Sequence, residues 1–308
     1  MIVAAIAAAL VSLTTILAAT AETPGVDAQP QAQVRRVGEK LLYSLHGEMS
    51  QSIRGTDASG RSVVQSPPAT SIKGHENISV TALSASAVKL HRSGSITAMV
   101  QGAKPITNAS QGWTSIDSRG IVTKDKGKLG GLFLLPLAFL GDRAMNGGNE
   151  LQVGDRWSAT LGTKLYGMSA RPRLQYAVLG QRRVLGVNVF TIRATGTVRM
   201  KEPVVTTSGV LLGYATGPAQ MTVQCDYDRE NRRLISLDVD VRDTLRYAGR
   251  TKRVSGRVQD HQRYLVALDA SSMVGGLRGT VGSDPLPDAT TPPPPTNQNS
   301  QPAPHSQY

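Results

Sequence analysis

The 308-residue chain has one cysteine, three phenylalanines and two tryptophans. A lone thiol, Cys225, excludes an intramolecular disulfide, so the fold must be held by burial alone. Aromatic residues make up 4% of the chain, which leaves little for stacking bases, and the basic residues are dispersed rather than gathered in a recognition motif. Nucleic acid is therefore not an expected partner. Catalytic signatures are missing too: no GxSxG, SxxK or HExxH occurs. The histidines, His46, His75, His91, His261 and His305, are far apart and none pairs with another at helix-ligand spacing, so neither a metal nor a cofactor is expected. The run DYDREN (226–231) is not a calcium loop, because Asn231 stands where the turn needs glycine and Leu237 where it needs glutamate. A non-enzymatic protein is the resulting expectation.

Acids are also scarce relative to bases, 22 against 34, giving a formal charge of +12. Such a surface attracts anions over long range. What is abundant is glycine, together with short runs of Val, Thr and Ser between glycine-containing breaks, the composition of many strands joined by turns. The expected fold class is all-β, or β-rich with one or two short helices: a curved antiparallel sheet or incomplete β-barrel.

Period-2 patterning supports this. In MTVQCDYD (221–228), Met221, Val223, Cys225 and Tyr227 share one face and Thr222, Gln224, Asp226 and Asp228 the other. In LISLDVDVR (234–242), Ile235, Leu237, Val239 and Val241 oppose Ser236, Asp238, Asp240 and Arg242, so the two runs form a hairpin across RENRR with one wet face. Cys225 on the apolar face reads as an inert core thiol. Residues 41–53 alternate likewise, with Leu41, Tyr43, Leu45, Met49 and Ile53 inward. Further strands are expected at 62–66, 77–83, 87–91, 95–101, 120–124, 156–166, 173–180, 184–199, 208–215 and 260–268, with Gly180 and Gly186 bracketing a turn.

At the start, residues 1–21 are uncharged and end in Ala19-Thr20-Ala21, and read as a cleavable signal peptide; the lack of basic residues before the apolar run leaves a start placed too late or an N-terminal anchor as the alternatives. Residues 22–33 read as a linker. Residues 281–308 are rich in Pro and polar residues and read as a disordered tail, leaving a β-rich domain over 34–280. The expected location is exported: periplasmic, cell-surface or secreted. The NxS sequons at Asn77 and Asn108 matter only in a eukaryotic secretory pathway.

Two segments open alike, RRVGEKLLYSL (35–45) and LQVGDRWSATL (151–161), each with Val-Gly-acid-base before an alternating run. One reading is two similar halves meeting near 129–150; the other is that glycine and two charges commonly begin a strand. Between them lies LGGLFLLPLAFLGDRAMNGG (129–148), too short to span a bilayer and interrupted by Pro136. It reads as a lid over an apolar cavity, a membrane-touching patch, or a connection that fills the core. The tract 242–257 concentrates Arg242, Arg246, Arg250, Lys252, Arg253 and Arg257 against one acid, Asp243: an anion-docking patch or a wet strand face.

VGEKLLYSL, VGDRWSATL, the 221–242 hairpin and LFLLPLAFL together resemble exported bacterial incomplete β-barrels of the lipoprotein-carrier kind. That resemblance implies a concave apolar sheet that holds acyl chains. It departs in lacking a lipoprotein cysteine and in having a basic tract and a Pro-rich tail. The first expected function is binding or carrying an apolar ligand such as lipid, lined by Leu41, Tyr43, Phe133, Phe139, Trp157 and Leu161. The alternative is an envelope interaction module that holds an anionic polymer, a lipid surface or a protein through its basic face.

Overall fold

The computed structural model describes residues 37–272, except 57–58, 85–86, 118, 127–131, 141–150, 166, 206–210, 232 and 249–254. The signal or anchor segment, the linker and the Pro-rich tail lie outside the described residues, as do Arg250, Lys252 and Arg253.

Long alternating runs become long strands. The first meander comprises β1 (Lys40–Thr56), β3 (Thr70–Leu83), β4 (Ala87–Val100), β5 (Ile106–Asp117) and β6 (Val122–Asp125), with β2 (Ser62–Gln65) paired to the end of β1. The second comprises β7 (Arg156–Thr160), β8 (Arg173–Val184), β9 (Val187–Val205), β10 (Leu211–Asp228), β11 (Arg233–Ala248) and β12 (Ser255–Leu268). All pairings are antiparallel, and β1 pairs with β12 from Tyr43↔Leu268 to Thr56↔Ser255, which merges the meanders into one 12-stranded sheet. It curves but does not close: its edges are β6 and β7, joined near one end by the Val122 N–H donating 2.9 Å to the Gly162 carbonyl. This is the expected curved all-β sheet.

The two similar frames are equivalent in space. Gly38 and Gly154 have φ of 89° and 95°, a conformation that glycine adopts without steric cost. The Gly38 N–H donates to the Val80 carbonyl and the Val80 N–H to the Glu39 carbonyl; the Gly154 N–H donates to Val178 and the Val178 N–H to Asp155. Immediately after each valine the ladder to the next strand shifts register, at Val80/Ala82 and at Val178/Gly180. The frame therefore encodes one device used twice: a glycine turn that seats a strand start against its neighbour's bulge.

Several expected breaks are not breaks. Gly180 lies inside β8, and the turn is made by Leu185 and Gly186, with φ of 47° and 83°. The runs at 87–91 and 95–101 form one strand across Gly94, where a Cβ would collide with the His75 carbonyl oxygen. β5 falls where no strand was expected, and β7 ends at Thr160 rather than residue 166. On the inward side of β10, Ala215, Gly217 and Ala219 are small, and a Cβ at Gly217 would stand 2.6 Å from the Thr244 carbonyl oxygen. The flanking β9 and β11 also contact each other across β10.

Candidate functional site

The concave face is filled by the chain itself. Leu132–Leu134 forms a 3-10 turn that runs into one helical turn, α1 (Leu135–Ala138), with Pro136 at its start, where proline is tolerated because it offers no N–H to lose. Phe133, Leu134, Leu135, Leu137, Phe139 and Leu140 are all buried in the main core, and α1 packs against β11. The most apolar stretch of the folded region is thus a plug lying in the hollow of the sheet.

Polar tethers hold the plug at its C-terminal end. The Tyr176 hydroxyl donates 2.7 Å to the Phe139 carbonyl, and the Gly162 N–H donates 3.1 Å to the Ala138 carbonyl. The Phe139 and Tyr176 rings lie 5.2 Å apart, and Trp157 stacks on Tyr176 at 5.0 Å and 11°. Burial pushes the Tyr176 phenol well above its usual range, so it remains a donor at all physiological pH.

Of the six lining residues expected from sequence, Phe139 and Trp157 meet at Tyr176, a residue that sequence reasoning did not single out. Leu41, Tyr43, Phe133 and Leu161 are buried in the same continuous core, and the Tyr43 hydroxyl donates 3.2 Å to the Leu234 carbonyl. Trp157 is only partly buried.

Two polar clusters also face inward. Arg92, 1% exposed, contacts Glu76 through Nε at 2.9 Å and Nη2 at 2.8 Å, and donates from Nη1 to Thr114 and Asp125. Burial outweighs the attraction of Arg92 and raises Glu76 to about 7. In the second, Glu202, Asp243 and Asp260 are buried and their carboxylate oxygens come within 4.8 Å of one another. Burial, reinforced by Asp260 and Asp243, raises Glu202 to about 9; burial and then Asp260 raise Asp243 to about 7; burial raises Asp260. Gln262 donates 3.3 Å to Glu202 and accepts 2.9 Å from Tyr264. Among the described residues these three carboxylates are the group whose oxygens could take a hard cation, and burial raises the proton affinity of all three. Their parity is the signal that was available: Asp243 and Asp260 occupy inward positions of otherwise alternating strands.

The basic tract splits by the same parity. Arg242 is exposed and ion-paired with Asp240 at 3.0 Å, whereas Arg246 and Arg257 are exposed cross-strand partners. Asp243, its single acid in sequence, points to the other side of the sheet. Cys225 is buried with its thiol pushed well up by burial, the inert core position expected of it.

The chain matches no family model and no curated protein. Among solved structures it is similar to one of lipid–protein interactions in lipovitellin, at TM-score 0.37 and 8% identity, over 76% of this chain and 25% of that one. The chain thus spans about a quarter of that neighbour. A FadL homologue of Pseudomonas aeruginosa follows at TM-score 0.20 and 8% identity, over 78% and 92% of the two chains. The InvG secretin-domain β-barrel of the Salmonella injectisome follows at 0.11 and 10%, over 80% and 70%. Similarities this weak do not bear on activity.

Proposed function

We propose that this is an exported, non-enzymatic carrier of an apolar ligand, held on the concave face of the sheet when the 132–140 plug is displaced. The observation that supports the reading is the plug itself: six contiguous-region apolar side chains fill the hollow, and its described polar anchors gather at one end, on Ala138 and Phe139. A segment of this kind can leave as a unit while the sheet keeps its ladders.

Magnitude sets the ligand class. Six buried apolar side chains at about 2 kcal/mol each amount to about 12 kcal/mol of burial that the ligand must replace. At about 0.8 kcal/mol per methylene this is roughly 15 methylenes, the size of a long acyl chain rather than a small aromatic.

The test is native mass spectrometry with lipid extraction on the chain purified from its own compartment and after incubation with long-chain fatty acid. About one copurifying or acquired acyl chain per protein is expected. Phe133→Asp should abolish uptake, and Tyr176→Phe, which leaves the apolar lining intact, should raise it. A clean apo mass with no uptake by the wild-type chain or by Tyr176→Phe overturns the proposal and leaves the plug as permanent core.

A further inference from the structure

We propose that the outer face of the sheet, at the end opposite the Leu185–Gly186 turn, docks on anionic phospholipid membranes. The registers place Val64, Arg54, Arg257, Arg246, Thr216 and Lys201 in one cross-strand row over β2, β1, β12, β11, β10 and β9. At about 4.8 Å per strand step the row is roughly 24 Å long. Arg54, Arg257, Arg246 and Lys201 are all exposed, and no acid stands in the row.

Its charge differs from that of the adjoining stretch of β11 and β12. Farther along β11 and β12, Asp240 pairs with Arg242 and His261, and Asp238 pairs with Arg263 at 2.7 Å. The next row inward, Ser52, Gln259 and Thr244, has no acid either. Three arginines directly opposite one another across three strands repel, so the row works against folding stability. An arrangement that folding disfavours, beside strands β11 and β12 whose Arg242 and Arg263 are paired with acids, is matched by an external anion.

The flanks select a membrane over a soluble polyanion. Val64 is 66% exposed beside Arg54, and Tyr214 is 46% exposed with Lys201 Nζ 4.5 Å from its ring centroid. An apolar and an amphipathic side chain level with a row of cations suit the boundary between headgroups and acyl chains. Beside the row an open hollow of ≈ 350 Å³ is bordered by Ser50, Gln51, Ser52, Arg242, Gln259 and His261, with Asp260 as its single acid. The inference does not depend on the plug, and its readout is separate from acyl uptake.

The experiment is cosedimentation of the chain with vesicles of phosphatidylglycerol and phosphatidylcholine, against phosphatidylcholine alone, with polyphosphate as a soluble polyanion control. Binding only to the anionic vesicles is expected, lost at ~1 M salt, where screening falls to about 3 Å. The triple variant Arg54→Gln, Arg246→Gln, Arg257→Gln should lose roughly a hundredfold in partitioning, and should melt no lower than the wild type. The matched control Lys40→Gln, Lys89→Gln, Lys124→Gln, with the same change in net charge, should lose far less. Val64→Ser with Tyr214→Ser should weaken vesicle binding and leave polyphosphate binding unchanged. Equal losses in both triples, indifference to Val64 and Tyr214, or binding to polyphosphate alone overturns the proposal.

Discussion

The hydroxyl of Tyr176 on β8 and the carbonyl of Phe139 at the end of the plug are joined by a 2.7 Å hydrogen bond in the buried interior. Removing the hydroxyl leaves a buried carbonyl without that donor. Tyr176→Phe is therefore expected to cost about 1–2 kcal/mol by urea unfolding. The loss should fall on the plug more than on the ladders, so amide exchange should quicken in residues 132–140 and stay unchanged in β11 and β12.

The acid cluster fixes a direction for pH. Glu202, Asp243 and Asp260 all have raised proton affinity in the fold, and Glu76 shares that direction. A group whose folded value is raised supplies stability that is full below its unfolded value, near 4.5 for a glutamate, and is lost as pH rises through the folded value, here about 9 for Glu202. Unfolding free energy should therefore decline from pH 5 to pH 9. Glu202→Gln should flatten that decline and be the more stable protein at pH 9; a wild-type curve that rises over this range would contradict the assignment.

Arg92 and Glu76 are equally buried in the first meander, and Asp125 is the second counter-ion of Arg92. Arg92→Met leaves Glu76 buried without its cation and should cost about 3–5 kcal/mol. Arg92→Met combined with Glu76→Leu should recover much of that loss, since a buried pair replaced whole by apolar groups is near neutral. A double variant no more stable than Arg92→Met would show that the two side chains are not energetically coupled.

Gly162 sits where the two sheet edges and the plug converge. A Cβ there would collide with the Gly120 carbonyl oxygen and stand 2.8 Å from that of Ala138. Gly162→Ala should destabilise by about 1–3 kcal/mol through overpacking, and should speed exchange of the Val122 amide, whose acceptor is the Gly162 carbonyl. Gly60→Ala, in open space but at φ 82°, separates backbone strain from crowding: it should leave Val122 exchange untouched.

Much of the sheet is legible from alternation, because an inward residue of a half-wet strand must be apolar. The 221–242 hairpin and the Leu41, Tyr43, Leu45 face appear as read, and residues 132–140 are the buried apolar insert that LFLLPLAFL announces. β5 was hidden because its pattern is inverted: Trp113 faces out, 54% exposed against His91, while Gly112 and Thr114 face in. Strands were cut at glycines that serve a different purpose. Gly94 lies mid-strand because the neighbouring backbone comes close, a tertiary demand that leaves no local trace. The acid cluster draws one residue from each of β9, β11 and β12, and only their meeting in space makes it a unit. The row Arg54, Arg257 and Arg246 was half visible, since its tract lies in one stretch, but Arg54 joins it from the far end of the chain through the β1–β12 ladder.

The near-absence of side chain along the inward edge of β10, at Ala215, Gly217 and Ala219, amounts to a crease ruled down the sheet. Glu202 stands opposite Ala215 and Asp243 opposite Ala219, so small side chains of β10 lie between two of the three acids. Bulk added there, as in Ala215→Leu, is expected to part the acids of β9 and β11 and bring each carboxyl closer to its ordinary range, read as a flatter fall of stability between pH 5 and pH 9.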